Sequence, residues 1–176
     1  MHNASVDPTA TGIPKDDAFV VIEGNKLLPP GIYKVTLAEV QRRFGTALLA
    51  SERGAREKRY RDLLDLIAQL KAKMVPATKL ILGGSFTAFL EDRPLPGDLD
   101  GIIILSCRRS SLTPEQRTFI DDGNLKHHYG DMYALSEEND APTIAEKLKV
   151  YSETRAIGGA KRPRGVILIE LAELLR

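Results

Sequence analysis

Pro96-Gly97-Asp98-Leu99-Asp100-Gly101-Ile102-Ile103-Ile104-Leu105 places two carboxylates two residues apart, directly ahead of an unbroken apolar run. On a strand, residues two apart project from one face. Asp98 and Asp100 then stand side by side while Leu99 turns into the core. Two like charges so placed repel each other unless a cation neutralises them. Magnesium suits such a pair, because it takes carboxylate oxygens and keeps positions open for phosphate and water. Taken alone, Asp-x-Asp more often marks two solvated aspartates at a strand start.

Two flanking stretches change that balance. Upstream, Leu80-Ile81-Leu82-Gly83-Gly84-Ser85-Phe86 reads as a buried strand running into a glycine turn and a short helix over 85–90. Amides at such a turn can hold phosphate oxygens, glycine lets the backbone approach them, and the Ser85 hydroxyl can donate as well. By itself Gly-Gly-Ser is also a common turn. Downstream, Tyr129-Gly130-Asp131-Met132-Tyr133-Ala134-Leu135 embeds an aspartate at the start of a third apolar strand, where burial is costly without a partner. A third carboxylate beside the first two completes the ligand set of a two-metal site.

The rest of the chain supplies a scaffold. Ala18 to Ile22 forms a strand or docks on the core, and Leu27-Leu28-Pro29-Pro30-Gly31-Ile32 is a stiff turn. Thr36-Leu37-Ala38-Glu39 has the capping-box pattern and opens a helix to about Phe44, which Gly45 ends. A long helix follows over roughly 51–74, with Leu63, Leu66, Ile67, Leu70 and Met74 as its buried stripe. Arg53, Arg56, Lys58, Arg59 and Arg61 lie on its other side, as a solvated face or an acceptor-binding one. Thr113-Pro114-Glu115 starts a helix to about Asp121, and another runs from Pro142 to about Arg155 with Ile144, Leu148 and Tyr151 on one face. Val166-Ile167-Leu168-Ile169 is a last strand or buried helix segment.

The alternation of strands and helices, without repeats, predicts one α+β (α/β-like) domain with a small mixed β-sheet and helices packed on it. That domain is expected over 26–176, after a flexible tail over 1–25. The length of 176 residues, 43% apolar and 28% charged, suits a single core. A net charge of +1 gives no support for a generally nucleic-acid-coating surface. Cys107 is the single cysteine, so no internal disulfide can form. No apolar run approaches the roughly 20 residues of a membrane span, and the N-terminus lacks a signal pattern. A cytoplasmic protein with no membrane partner is expected.

The order Gly84-Ser85, then Asp98-x-Asp100, then Asp131 on a later strand resembles the DNA polymerase β-like nucleotidyltransferase superfamily, in its minimal bacterial type. More narrowly, Leu28-Pro29-Pro30-Gly31-Ile32, Thr36-Leu37-x-Glu39-Val40, Arg43-Phe44, Gly84-Ser85-Phe86 and Pro96-x-Asp98-x-Asp100 resemble the uncharacterised, nucleotidyltransferase-like DUF6932 family. The resemblance covers most of 26–170 and implies a nucleotidyltransferase fold. It implies that Gly84, Ser85 and nearby amides hold the nucleotide phosphates. It further implies that Asp98, Asp100 and Asp131 are catalytic and ligate magnesium, or manganese in its place. Gly101 departs from the pattern, standing where an apolar residue often follows the second carboxylate.

The expected activity is transfer of a nucleoside monophosphate from an NTP to a hydroxyl on a protein, a tRNA or a small molecule. Small bacterial relatives suggest a toxin–antitoxin or phage-defence context, with an antitoxin or a second copy as partner. Lys161, with Arg155, Arg162 and Arg164 around Gly158-Gly159, can close on the triphosphate or bind a nucleic-acid phosphate, or be a solvated surface loop. His127 shares a face with Asp131 if that strand begins early; otherwise His127 and His128 are an exposed loop pair. The rival readings are a catalytically inactive nucleotide-binding or protein-interaction module on the same fold, and a nucleic-acid binder using the basic helix face and the 155–164 loop.

Overall fold

The computed structural model describes residues 10–12, 20–22, 25–45, 53–89, 96–153 and 160–176. Most of the expected tail, residues 51–52 of the expected long helix, residue 90, Arg155 and Gly158-Gly159 lie outside them. The strands are β1 (Ala10–Thr11), β2 (Val20–Ile22), β3 (Asn25–Leu27), β4 (Ile32–Val35), β5 (Ala77–Gly83), β6 (Ala88–Phe89), β7 (Asp100–Leu105), β8 (Met132–Ser136) and β9 (Val166–Glu170). The helices are α1 (Leu37–Val40), α2 (Arg53–Ala72), α3 (Pro114–Phe119), α4 (Asp122–His128) and α5 (Ala141–Tyr151).

Six strands form a mixed sheet in the order β1-β4-β9-β5-β7-β8, as the alternating pattern predicts. β5 runs antiparallel to β7 and β9, while β7 with β8 and β4 with β9 are parallel pairs. The pairings Gly83 with Asp100, Gly101 with Met132, Leu82 with Ile167 and Ile32 with Val166 bring one end of β5 to the starts of β4, β7, β8 and β9. Three candidate segments therefore share one end of the sheet. A smaller sheet, β2-β3-β6, joins the entry segment to the residues after Ser85.

Alternation along the strands sorts side chains between two faces. Leu80, Leu82, Ile103, Leu105, Met132, Ala134, Ile167 and Ile169 join Val40, Leu63, Leu66, Leu70, Phe119 and Leu125 in the larger core. Ile81, Ile102, Ile104, Leu135 and Val166 pack on the other face with Tyr151, Ile144 and Leu148 of α5. Leu99 is fully buried in the larger core, as its position between two aspartates predicts.

Local signals hold at the caps. Thr36 Oγ1 accepts from the Glu39 N–H at 3.2 Å, and Glu39 Oε2 accepts from the Thr36 N–H at 2.8 Å. Thr113 and Gln116 repeat the device at the start of α3. Past Val40 the helix widens into a π turn over Gln41–Gly45, ending where the glycine predicts.

Four expectations need correction. Met74 is 81% exposed and takes φ +50°, because α2 ends there in a left-handed turn. The Val75 N–H reaches back to Leu70 O and the Met74 N–H to Lys71 O, which swings the side chain off the stripe. Residues 85–90 form no regular helix among those described: a tight 3-10 turn over Gly84–Thr87 gives way to β6, whose pairing with β3 wins over helix continuation. His127 and His128 lie in α4, which terminates just before β8, so His127 does not share a strand face with Asp131. Arg56 is not solvated; it is 1% exposed. Its Nη1 donates to Phe86 O at 3.1 Å and its Nη2 to Ala88 O at 2.7 Å, with the guanidinium 4.1 Å from the Phe89 ring centre.

Arg56→Ala strands two buried carbonyls and removes that packing, so it should cost about 3 kcal/mol in urea denaturation. Loss of the cap in Thr36→Ala should cost about 1 kcal/mol in the same assay.

Candidate functional site

The site begins where β5 ends. Gly84 takes φ +66°, and a Cβ there would strike the Asp100 carboxylate, so the chain can turn beside that side chain only with glycine. The turn aims the backbone N–H of Ser85 at the Asp100 carboxylate, where it donates a hydrogen bond. Gly130 makes the matching approach on the other side. It takes φ +123°, and a Cβ there would meet the Asp98 Cβ and the Leu99 backbone. Two ladder bonds fix the carboxylate-bearing segments together. The Leu99 N–H donates to Tyr129 O at 2.9 Å, and the Gly101 N–H to Asp131 O at 3.1 Å.

Asp98, Asp100 and Asp131 are each partly buried and close enough to interact electrostatically. Burial first, then the charges of Asp98 and Asp131, push the Asp100 carboxyl up to about 6. The Arg164 guanidinium and the Ser85 N–H oppose that rise without cancelling it. Negative charge at this sheet end is therefore under-compensated within the chain.

Arg164 is the cation that faces it. Its side chain is buried, its Nε donates to Tyr151 O at 3.0 Å, and its Nη1 donates to Gly84 O at 3.0 Å. Burial pulls the guanidinium below its ordinary value, and Asp100 works against that pull. The Tyr151 hydroxyl donates to Asp131 O at 2.7 Å and lies 3.2 Å from Asp131 Oδ2. Its phenol is pushed well above the ordinary tyrosine value, by burial first and then by Asp131 and Asp100. One turn earlier in α5, the Lys147 ammonium lies 3.8 Å from the Tyr133 ring centre. Tyr133 chiefly raises its proton affinity, and Asp131 adds to it.

The structure thus brings together Gly84, Ser85, Asp98, Asp100 and Asp131. Lys161 is exposed and pairs with Glu153 at 3.3 Å, in a segment closed by a bridge between Glu153 and Pro163. Tyr151, first read as an apolar helix position, and Lys147, which no motif marks, are additions from the fold. Arg164 stood in the cationic run without distinction from its neighbours; its partner Gly84 is eighty residues away, beyond any local spacing signal.

The donor set is all oxygen and under-neutralised, which is the chemistry a hard divalent cation takes. Among the described residues, no group of three His, Cys, Asp or Glu side chains is arranged to hold a metal ion. No described helix is long and apolar enough to cross a membrane. The family model described as "Family of unknown function (DUF6932)" matches residues 21–170. No curated protein and no solved structure matches the chain.

The raised Asp100 carboxyl has a definite stability consequence. Between its ordinary value of 3.8 and about 6, the folded state binds a proton more readily than the unfolded chain, so stability falls as pH rises through that window. In chelator-treated buffer, Asp100→Asn should therefore be more stable than the wild type above pH 6, by on the order of 2 kcal/mol. The gain should shrink away below pH 4, as read by thermal melts across that range.

Proposed function

Since the chain belongs to the DUF6932 family, whose function is unknown, its activity must be read from its own residues; we propose a magnesium-dependent nucleotidyltransferase, moving a nucleoside monophosphate from an NTP to a hydroxyl acceptor. The observation that carries this reading is the meeting of Asp98, Asp100 and Asp131 beside the Gly84-Ser85 turn, with Asp100 pushed up to about 6 by burial first and then by the two neighbouring carboxylates. A nucleotidyltransferase fold is part of the same proposal. The order β5-β7-β8, with the glycine turn leaving β5, supports it.

Asp98, Asp100 and Asp131 are the residues that would hold the ions. Bound magnesium would neutralise the triphosphate and lower the barrier to attack by the acceptor oxygen. The Ser85 hydroxyl orients the phosphates, while the Ser85 N–H holds the Asp100 carboxylate. Asp131 accepts the proton of the acceptor hydroxyl, its carboxylate kept in place by Tyr151. The acceptor oxygen bonds to the α-phosphorus, the bond from that phosphorus to the bridging oxygen breaks, and pyrophosphate leaves. Such transfer depends chiefly on positioning and on charge neutralisation. Protein, tRNA and small-molecule hydroxyls all satisfy this chemistry.

One observation favours a second reading, a nucleotide-binding module without turnover. Asp100 is already engaged by the Ser85 N–H and the Arg164 charge, and no three described carboxylates converge on one ion. Incubation with α-labelled NTPs and magnesium, in the presence of cell lysate, separates the two. The transferase reading expects labelled acceptor, reduced at least about a hundredfold in Asp98→Ala and Asp100→Ala. Magnesium-dependent NTP binding with no label transferred would instead identify the binding module.

A further inference from the structure

A cleft of about 260 Å³ lies between α5 and the starts of β4 and β9, and shares Arg164 with the carboxylate site. Its walls include Ile32, Leu148, Pro163 and Val166, and Lys149 and Arg164 also line it. We propose that this cleft is the seat of the nucleobase of a bound nucleoside triphosphate, an inference that rests on the nucleotide reading of the site.

Size, distance and charge support that occupant. The volume falls below the roughly 300–1,000 Å³ of pockets that enclose a whole drug-sized ligand, so it fits one flat ring system and not an entire nucleotide. Apolar walls suit the faces of a heterocycle, and they do nothing for a phosphate. The cleft opens at β9, and Asp100 starts β7; in the sheet order they are separated by β5 alone. Two strand spacings amount to about 10 Å, comparable to the reach from an α-phosphate across the ribose to its base. Arg164 joins the two regions, since it lines the cleft while its charge acts on Asp100 and its Nη1 holds Gly84 O. Arg164 and Lys149 also give the cleft positive charge, complementary to the polyphosphate of a nucleotide whose base is seated there.

Magnesium-dependent binding of each of the four common NTPs and of inorganic tripolyphosphate tests the assignment. The wild type should bind at least one NTP tenfold or more tightly than tripolyphosphate, the excess being the contribution of the nucleoside. Leu148→Trp, which fills the cleft, and Ile32→Thr, which removes one methyl group and makes one wall polar, should each remove that excess and leave tripolyphosphate affinity unchanged. The chain contains no tryptophan, so the new indole fluorescence also reports whether Leu148→Trp remains folded. An NTP preference that survives both substitutions, or a wild type with no preference over tripolyphosphate, overturns the cleft assignment while the nucleotide site stands. Failure of the wild type to bind either NTP or tripolyphosphate overturns the nucleotide reading and the cleft assignment together.

Discussion

Three carboxylates drawn to one end of a sheet are the constraint around which the rest of this molecule is arranged. Asp100 bears the consequence, since it loses solvent and faces Asp98 and Asp131 with only Arg164 and one amide in opposition. Such crowding costs stability unless a cation offsets it, which is why the proposed function rests on this region. The surrounding backbone is shaped to permit it. Gly84 and Gly130 both adopt positive φ where a Cβ would collide with an aspartate or its neighbour. Leu99, buried in the larger core between the two acidic residues, anchors the segment that carries them.

Rigidity at this end comes from elements on both faces of the sheet. On one, Arg56 of α2 binds the carbonyls of Phe86 and Ala88, so a buried cation in the long helix fixes the strand that follows the glycine turn. On the other, Tyr151 at the end of α5 bonds to Asp131 while its own carbonyl accepts from Arg164. Arg164 then reaches Gly84 O. The turn, the helix end and two of the strands are thereby linked through hydrogen bonds to main-chain oxygens. Those acceptors keep their position whatever the protonation state of the carboxylates.

The motif residues were legible because their chemistry is local. Asp98 and Asp100 are two apart ahead of an apolar run, Gly84-Ser85 ends another, and Asp131 starts a third. Their meeting needed only the pairing of those strands. The capping boxes at Thr36 and Thr113 were legible for the same reason, since all partners lie within one helical turn. Met74 fitted the buried stripe by spacing, but spacing carries no sign of the left-handed turn that ends α2. The segment after Ser85 has helix-compatible residues, yet β3 offers Ala88 and Phe89 a strand partner some sixty residues earlier in the chain.

The sequence by itself determined the α+β alternation, the strands at 79–82, 100–105 and 132–135, and the local caps. Each follows from side-chain periodicity and from local hydrogen-bond chemistry. β4 and the choice of strand over helix at 166–169 came from the fold. Only the tertiary structure decided which cations matter. Arg56, Lys161 and Arg164 are all basic residues in basic stretches. One is buried under the turn after Ser85, one pairs with Glu153 in water, and one sits beside Asp100. The physical reason is that desolvation and partner distance, which set the worth of a charge, are properties of three-dimensional packing and leave no trace in the order of residues.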